Sequence, residues 1–169
     1  MNPCPCGYRG DPRRDCACGD DRVERYRGRL AGPLLDRIDL HVEVPPLGYR
    51  DMLGGAPGES SGAVRARVVR ARAAQRRRWG PAPRSGRSGR SDPCNARLRP
   101  EQVRQQIEID DSGRLLLERA IQGLGLSARA HDRILRVART IADLEDEARV
   151  LARHLAEAIH YRTLDRRLG

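Results

Sequence analysis

From Ser127 onward the chain is written in a helical code. Ala130, Ile134, Val137, Ala138, Ile141 and Leu144 recur at intervals of three and four, which lays apolar side chains along one face of an α-helix. Ser127 is a good N-cap for that helix. Upstream, Asp110, Asp111 or Ser112 can cap a helix over Gly113–Gln122, with a stripe of Leu116, Leu117, Ala120, Ile121 and Leu124 and with Gly123 and Gly125 ending it. A last helix is expected from about Val150 to Leu164, its buried face made of Leu151, Leu155, Ala158 and Ile159. Three such helices pack as a small bundle. Composition agrees: with no phenylalanine and 3% aromatic residues, a core must be assembled from Leu, Ile, Val and Ala, which favours packed helices.

The rest of the chain is less regular. Residues 1–21 are a Cys, Pro and Gly-rich loop, followed by a short helix near Arg22–Leu30 and a turn at Gly32-Pro33. Leu40-His41-Val42-Glu43-Val44 alternates apolar and polar, as a half-buried strand does, and Pro45-Pro46 stops it. This is the one convincing strand in the sequence. Gly48–Gly62 reads as a linker. Ala63–Trp79 is helical by propensity, with Val64, Val68 and Ala71 on one side and Arg65, Arg72 and Arg76 around the other. Pro81–Pro93 contains Arg-Ser-Gly-Arg-Ser-Gly-Arg-Ser, which cannot bury a core and is expected to be disordered, as a solvated linker or a nucleic-acid tether. At 169 residues the chain suits one ordinary domain or two small ones. No apolar run is long enough for a membrane span or a signal peptide, so the cytoplasm is the expected location.

Charge narrows the chemistry. The formal net charge is +10, which suggests a polyanionic partner such as DNA, although a GC-rich genome that writes Arg for every basic residue gives the same balance. All 33 basic residues are arginine. A phosphate-cradling P-loop needs Gly-x-x-x-x-Gly-Lys-Ser/Thr, so none exists here, and no apolar strand ends in Asp-Glu to hold magnesium. This chain alone should not hydrolyse nucleotide.

Three groups of residues are candidates for a site. Cys4 and Cys6, then Cys16 and Cys18, form C-x-C, nine residues, C-x-C, four soft ligands sufficient for tetrahedral zinc. Zinc pairs are more often C-x-x-C, so plain reduced thiols are the alternative, and disulfides would require a secreted chain. Cys94 has no partner in the pattern. His41, His131, His154 and His160 lie far from the pairs and read as structural. Arg37 follows Leu34-Leu35-Asp36 at the entrance to the strand, where a guanidinium can be held rigidly and oriented by Asp36 or Asp39. An ordinary surface ion pair is the other reading. Arg129 stands in the first turn after the Ser127 cap, a poor place for a cation unless the site receives phosphate.

Several segments carry a family resemblance: Asn2-Pro3-Cys4-Pro5-Cys6-Gly7; Tyr26-Arg27 through Gly32-Pro33-Leu34-Leu35-Asp36-Arg37-Ile38-Asp39-Leu40; Leu126-Ser127-Ala128-Arg129-Ala130 through Arg136-Val137-Ala138-Arg139-Thr140-Ile141-Ala142-Asp143-Leu144; and His154-Leu155-Ala156-Glu157-Ala158 with Tyr161-Arg162. In these the chain resembles the C-terminal portion of magnesium-chelatase-like AAA+ ATPases of the bacterial competence-protein (ComM, YifB) type. The resemblance implies a mainly α fold. Residues 1–47 would be the end of the AAA+ α/β core, 48–93 a linker with the basic helix and the Arg/Ser/Gly tract, and 94–169 a helical lid domain. It implies Asn2 as sensor 1, positioning the attacking water, Arg37 as an arginine finger acting in trans, and Arg129 as sensor 2 on the nucleotide. ATP and magnesium, a ring that is a hexamer, and DNA in recombination or transformation come with the parent assembly. The Walker segments and the N-terminal protease-like domain of the family are missing from the sequence, so the expectation is a fragment. An autonomous zinc-stabilised nucleic-acid-binding module and a magnesium-chelatase ATPase subunit are the alternatives, the latter disfavoured by the cysteine loop.

Overall fold

A computed structural model describes residues 2–29, 34, 37–45, 47, 49–54, 57–80 and 93–162. Among these the helices are α1 (Asp20–Arg27), α2 (Tyr49–Gly54), α3 (Ser61–Trp79), α4 (Pro100–Gln106), α5 (Asp111–Leu124), α6 (Ala128–Leu144) and α7 (Ala152–His160), with a 3-10 turn at Asn95–Arg97 between α3 and α4. No strand forms among the described residues; Ile109 and Val150 make an isolated parallel bridge. The chain divides into two units, Met1–Gly55 with Tyr161–Gly169, and Ala56–His160.

The second unit is built on the capped helices that the sequence encodes. Asp110 accepts the Gly113 N–H at 2.8 Å and Ser127 accepts the Ala130 N–H at 3.2 Å, each satisfying a donor that the first helical turn leaves over. Gly125 closes α5 in the left-handed conformation (φ 63°), where a side chain would be strained. Along α6, Ala130, Ile134, Leu135, Ala138 and Ala142 are buried, and Leu155 and Ala158 of α7 pack into the same core with Leu117 of α5. Leu98, Val103 and Ile107, from the 3-10 turn and α4, complete it. The approach of α5 to α7 is close: a Cβ on Gly113 would stand 2.7 Å from Leu155 Cδ1, so only glycine fits without movement.

A buried polar cluster crosses this core. The Asp143 carboxylate receives both Arg78 guanidinium nitrogens, at 2.7 and 3.1 Å, the Asn95 amide at 2.8 Å and Arg139 Nε at 3.2 Å. Asn95 in turn accepts Trp79 Nε1–H at 2.8 Å and donates to Thr140 Oγ1 at 3.0 Å. Arg139 uses its remaining nitrogens on the carbonyls of Glu147 and Ala148 in the loop after α6. Two side chains of α6, Asp143 and Arg139, thereby tie together α3, the 3-10 turn and the loop into α7.

The first unit holds α1 and α2, the cysteine loop and the segment around Arg37. Val23 of α1 and Cys4 are its buried apolar side chains among the described residues. The His41 N–H donates to the Tyr161 carbonyl at 2.9 Å, and the buried Arg162 donates to the Ile38 carbonyl.

Leu40–Val44, expected as a strand, is not one. A strand exists only as part of a ladder, and no strand lies beside this segment among the described residues; Leu40, Val42 and Val44 are exposed rather than half-buried. The expected linker Gly48–Gly62 contains α2 and the Ser60 cap of α3. Helix α4 was not expected at all; its signal is Pro100 in the first turn, with the Arg99 N–H received by Gln102 Oε1 at 3.0 Å. The last helix begins two residues later than expected, since Val150 is engaged in the bridge to Ile109, and it ends at His160. The Arg-Ser-Gly tract lies outside the described residues. No helix among those described is long and apolar enough to cross a membrane.

Removing one partner from a buried charge cluster strands the others, so Asp143→Ala should destabilise the helical unit by about 3–5 kcal/mol in urea melts followed by circular dichroism. Burial raises the Asp143 pKa, but the bonds from Arg78 and Asn95 and the charge of Arg139 outweigh it and hold the carboxyl below its ordinary value. The stabilisation is therefore complete above the unfolded-state pKa of about 4 and drains away as pH falls through the lower folded-state value. Asp143→Asn should remove that acid-side dependence while also lowering the plateau.

Candidate metal centre and exposed arginines

The loop from Asn2 to Gly19 is folded by its prolines, its glycines and its thiols. Pro3 and Pro5 fix φ on either side of Cys4. The chain then reverses at Gly7 (φ 86°), whose N–H donates to the Cys4 carbonyl at 3.0 Å, and again at Gly10 (φ 83°). These reversals bring Cys4 and Cys6 back against Cys16 and Cys18. Sγ of Cys4 lies 3.4 Å from that of Cys6 and 3.6 Å from that of Cys16, and Cys6 and Cys16 are 3.6 Å apart. All four sulfurs fall within 4.8 Å of one another. Cys94 is outside the group.

The Tyr8 N–H, followed by the Cys4 thiol, pulls the Cys6 pKa down to about 6. Burial raises that of Cys4, yet the N–H groups of Arg9 and Gly7 and the Cys16 thiol leave it lowered on balance. The Cys18 N–H favours the Cys16 thiolate, but burial and the crowding of Cys4 and Cys6 push its pKa up to about 11. Four thiols at this spacing cannot all ionise without a cation among them. Around the loop, Arg9 pairs with Asp20 at 3.0 Å, and Arg14 donates to the Tyr8 hydroxyl at 2.7 Å with its guanidinium over the ring.

Asn2, two residues ahead of Cys4, is exposed and has its amide nitrogen beside Gly7. Arg37 is exposed on a turn whose backbone is closed by its own N–H on the Leu34 carbonyl at 3.0 Å. Asp36, offered as its orienting partner, lies outside the described residues. Arg129 is exposed in the first turn of α6, in the second unit. The cysteine quartet is thus brought together within one loop, whereas Arg129 belongs to the other unit. Among the histidines, buried His154 accepts the Leu151 N–H at Nδ1 and meets Glu145 Oε2 at 2.9 Å through Nε2, holding the start of α7.

Missing from the sequence reading was the Asp143 cluster. Arg78 and Asp143 are 65 residues apart, and no periodicity links them. The available signal was a polar residue, Asp143, on the buried stripe between Ala142 and Leu144.

The matching family models place the geometry in context. Residues 58–162 match the model described as magnesium chelatase, subunit ChlI C-terminal, and residues 1–52 match magnesium chelatase, subunit ChlI. The chain belongs to the magnesium-chelatase-like family. Within it, the chain is 39% identical over 170 residues to the competence protein ComM of Haemophilus influenzae, covering 99% of the chain and 30% of that protein. It is 39% identical over 171 residues to the uncharacterised YifB proteins of Escherichia coli and Salmonella typhimurium, covering 99% of the chain and 31% of each. The chain therefore spans less than a third of the length of these curated relatives. The capped helices and bundle of the second unit are the helical C-terminal part of this magnesium-chelatase-like fold.

Arg37 and Arg129 are both exposed and outside the buried core of the described residues. Arg37→Ala and Arg129→Ala should each stay within about 0.5 kcal/mol of the parent in chemical denaturation, with Arg129→Ala on the stabilising side because it removes a cation from a helix N-terminus.

Proposed function

We propose that this chain supplies the nucleotide-sensing and subunit-communicating parts of an ATP-driven ring motor that acts on DNA in the cytoplasm. Two exposed arginines at the family's motif positions carry the reading: Arg37 on a tight turn and Arg129 at the start of a capped helix, neither held by an ion pair among the described residues. Phosphoryl transfer needs positioned cations where charge accumulates on the γ-phosphate oxygens. Arg37 would reach into the neighbouring subunit's site and stabilise that charge, and Arg129 would couple the helical lid to the same nucleotide. Asn2, at the edge of the cysteine loop, would orient the attacking water. The P-loop lysine and the magnesium-binding acid come from Walker segments that this sequence does not contain. Residues 1–47 then act as the end of the ATPase core and 94–169 as the lid, in a ring that we take to be a hexamer.

A second reading, a metal-stabilised nucleic-acid-binding module, is favoured by one feature in particular. Helix α3 carries seven arginines and no acidic residue over Ser61–Trp79, of which Arg78 is taken by Asp143 and Arg67 by Glu59, and the chain's net charge is +10. Such a helix neutralises phosphates without reading bases, so its affinity would fall steeply with salt.

The two readings separate in one experiment. In a full-length chain carrying this sequence behind its Walker segments, Arg37→Ala should lower ATP turnover by about three orders of magnitude or more, with nucleotide binding retained. Unchanged turnover would overturn the motor reading. Salt-sensitive DNA binding that survives in the 169-residue chain alone would favour the module.

A further inference from the structure

We infer that Cys4, Cys6, Cys16 and Cys18 hold a single Zn²⁺ as a closed, structural tetrathiolate centre, and that this ion does for residues 2–29 what an apolar core does for the helical unit. The inference stands on the loop's own geometry and does not depend on whether the chain serves a motor.

Size is the first argument. Zn–S bonds of about 2.3 Å in a tetrahedron place neighbouring sulfurs about 3.8 Å apart. The observed separations of 3.4, 3.6 and 3.6 Å, with Cys18 also inside the 4.8 Å limit, surround a space of that size. An iron–sulfur cluster with its own bridging sulfides needs a wider cage, so the site takes one ion. Disulfide pairing is not what the arrangement selects, because Cys4, Cys6 and Cys16 are nearly equidistant and no two of them are set apart as a couple.

Charge is the second. Four thiolates around Zn²⁺ leave a net charge of −2, which must be dispersed. Arg9, Arg13 and Arg14 stand exposed on the same loop, and Arg27 donates to the Pro3 carbonyl at 3.3 Å, so positive charge is at hand for it. With every position filled by sulfur, no coordination site remains for water or substrate, so the ion is structural rather than catalytic.

Energetics is the third. Among the described residues from 2 to 54, the buried apolar side chains are Cys4 and Val23, far too little to order a loop of this length. The centre also fixes the backbone on which Asn2 stands. Metal binding is then folding free energy for this segment.

The test uses the full chain, purified under reducing conditions. Elemental analysis should find about one zinc per molecule, and Co²⁺ substitution should give the thiolate charge-transfer and tetrahedral d–d bands of a tetrathiolate site. Cys16→Ser and Cys18→Ser should lose the metal, while Cys94→Ser keeps it. Arg9, Arg13 and Arg14 are exposed on the loop, so trypsin reports its order: the zinc-loaded chain should resist cleavage there and the chelator-treated chain should be cut. Far-UV circular dichroism of the α5–α7 bundle should persist through chelation, which separates loss of metal from unfolding. A chain with all five thiols reactive that takes up no added zinc would overturn the inference, as would iron in place of zinc, or loss of metal in Cys94→Ser equal to that in Cys16→Ser. None of these outcomes bears on Arg37, so failure here and failure of the motor reading remain distinct.

Discussion

A carboxylate with no exposed surface stays ionised inside a protein only when its neighbours replace the water it has lost, and each partner must then be held where the carboxylate needs it. Asp143 imposes that demand on the helical unit. Its side chain is fully buried, and it is met by guanidinium groups from α3 and α6 and by an amide from the 3-10 turn. Apolar burial along α6 determines which face turns inward, but a stripe of Ala, Ile and Leu is tolerant of rotation and sliding. The carboxylate is not, because bidentate guanidinium geometry fixes both distance and plane. With every basic residue an arginine, the sequence contains the side chain best suited to this role and none of the one that would satisfy it less specifically.

The two units solve the problem of order in opposite ways. Between Ala56 and His160, more than a dozen buried apolar residues surround one polar hub. The cysteine loop has almost no apolar interior among its described residues and instead gathers four sulfurs. Each unit is organised around a cluster of polar or soft groups, a carboxylate among cations in one case and four sulfurs in the other.

Local signals were legible in the sequence and nonlocal ones were not. Ser127 and Asp110 cap the helices expected of them because a capping oxygen and the N–H it satisfies are three residues apart. The cysteine quartet was equally readable, since its ligands are contained within 15 residues. The Asp143 hub was hidden because its partners come from three separate segments, and α4 because seven residues are too few to display a period. The alternation at Leu40–Val44 was read correctly as a pattern but wrongly as a formed strand. Alternation encodes which faces a strand would have; it does not provide the neighbour that makes it one. Arg37 and Arg129 were singled out by motif context, and their exposure is what a residue offered to a ligand requires and equally what an idle surface arginine shows.

That same segment governs how the protein behaves in concentrated solution. Leu40, Val42 and Val44 are exposed at 48%, 64% and 83%, in a stretch that no described strand accompanies. A β-prone run of this kind offers a second molecule an apolar edge, although its His41 N–H is already given to the Tyr161 carbonyl. The net charge of +10 keeps molecules apart at low ionic strength. Added salt screens that repulsion and leaves the apolar run untouched. Colloidal stability is thus a contest between five residues and the charge of the whole surface, and ionic strength decides it.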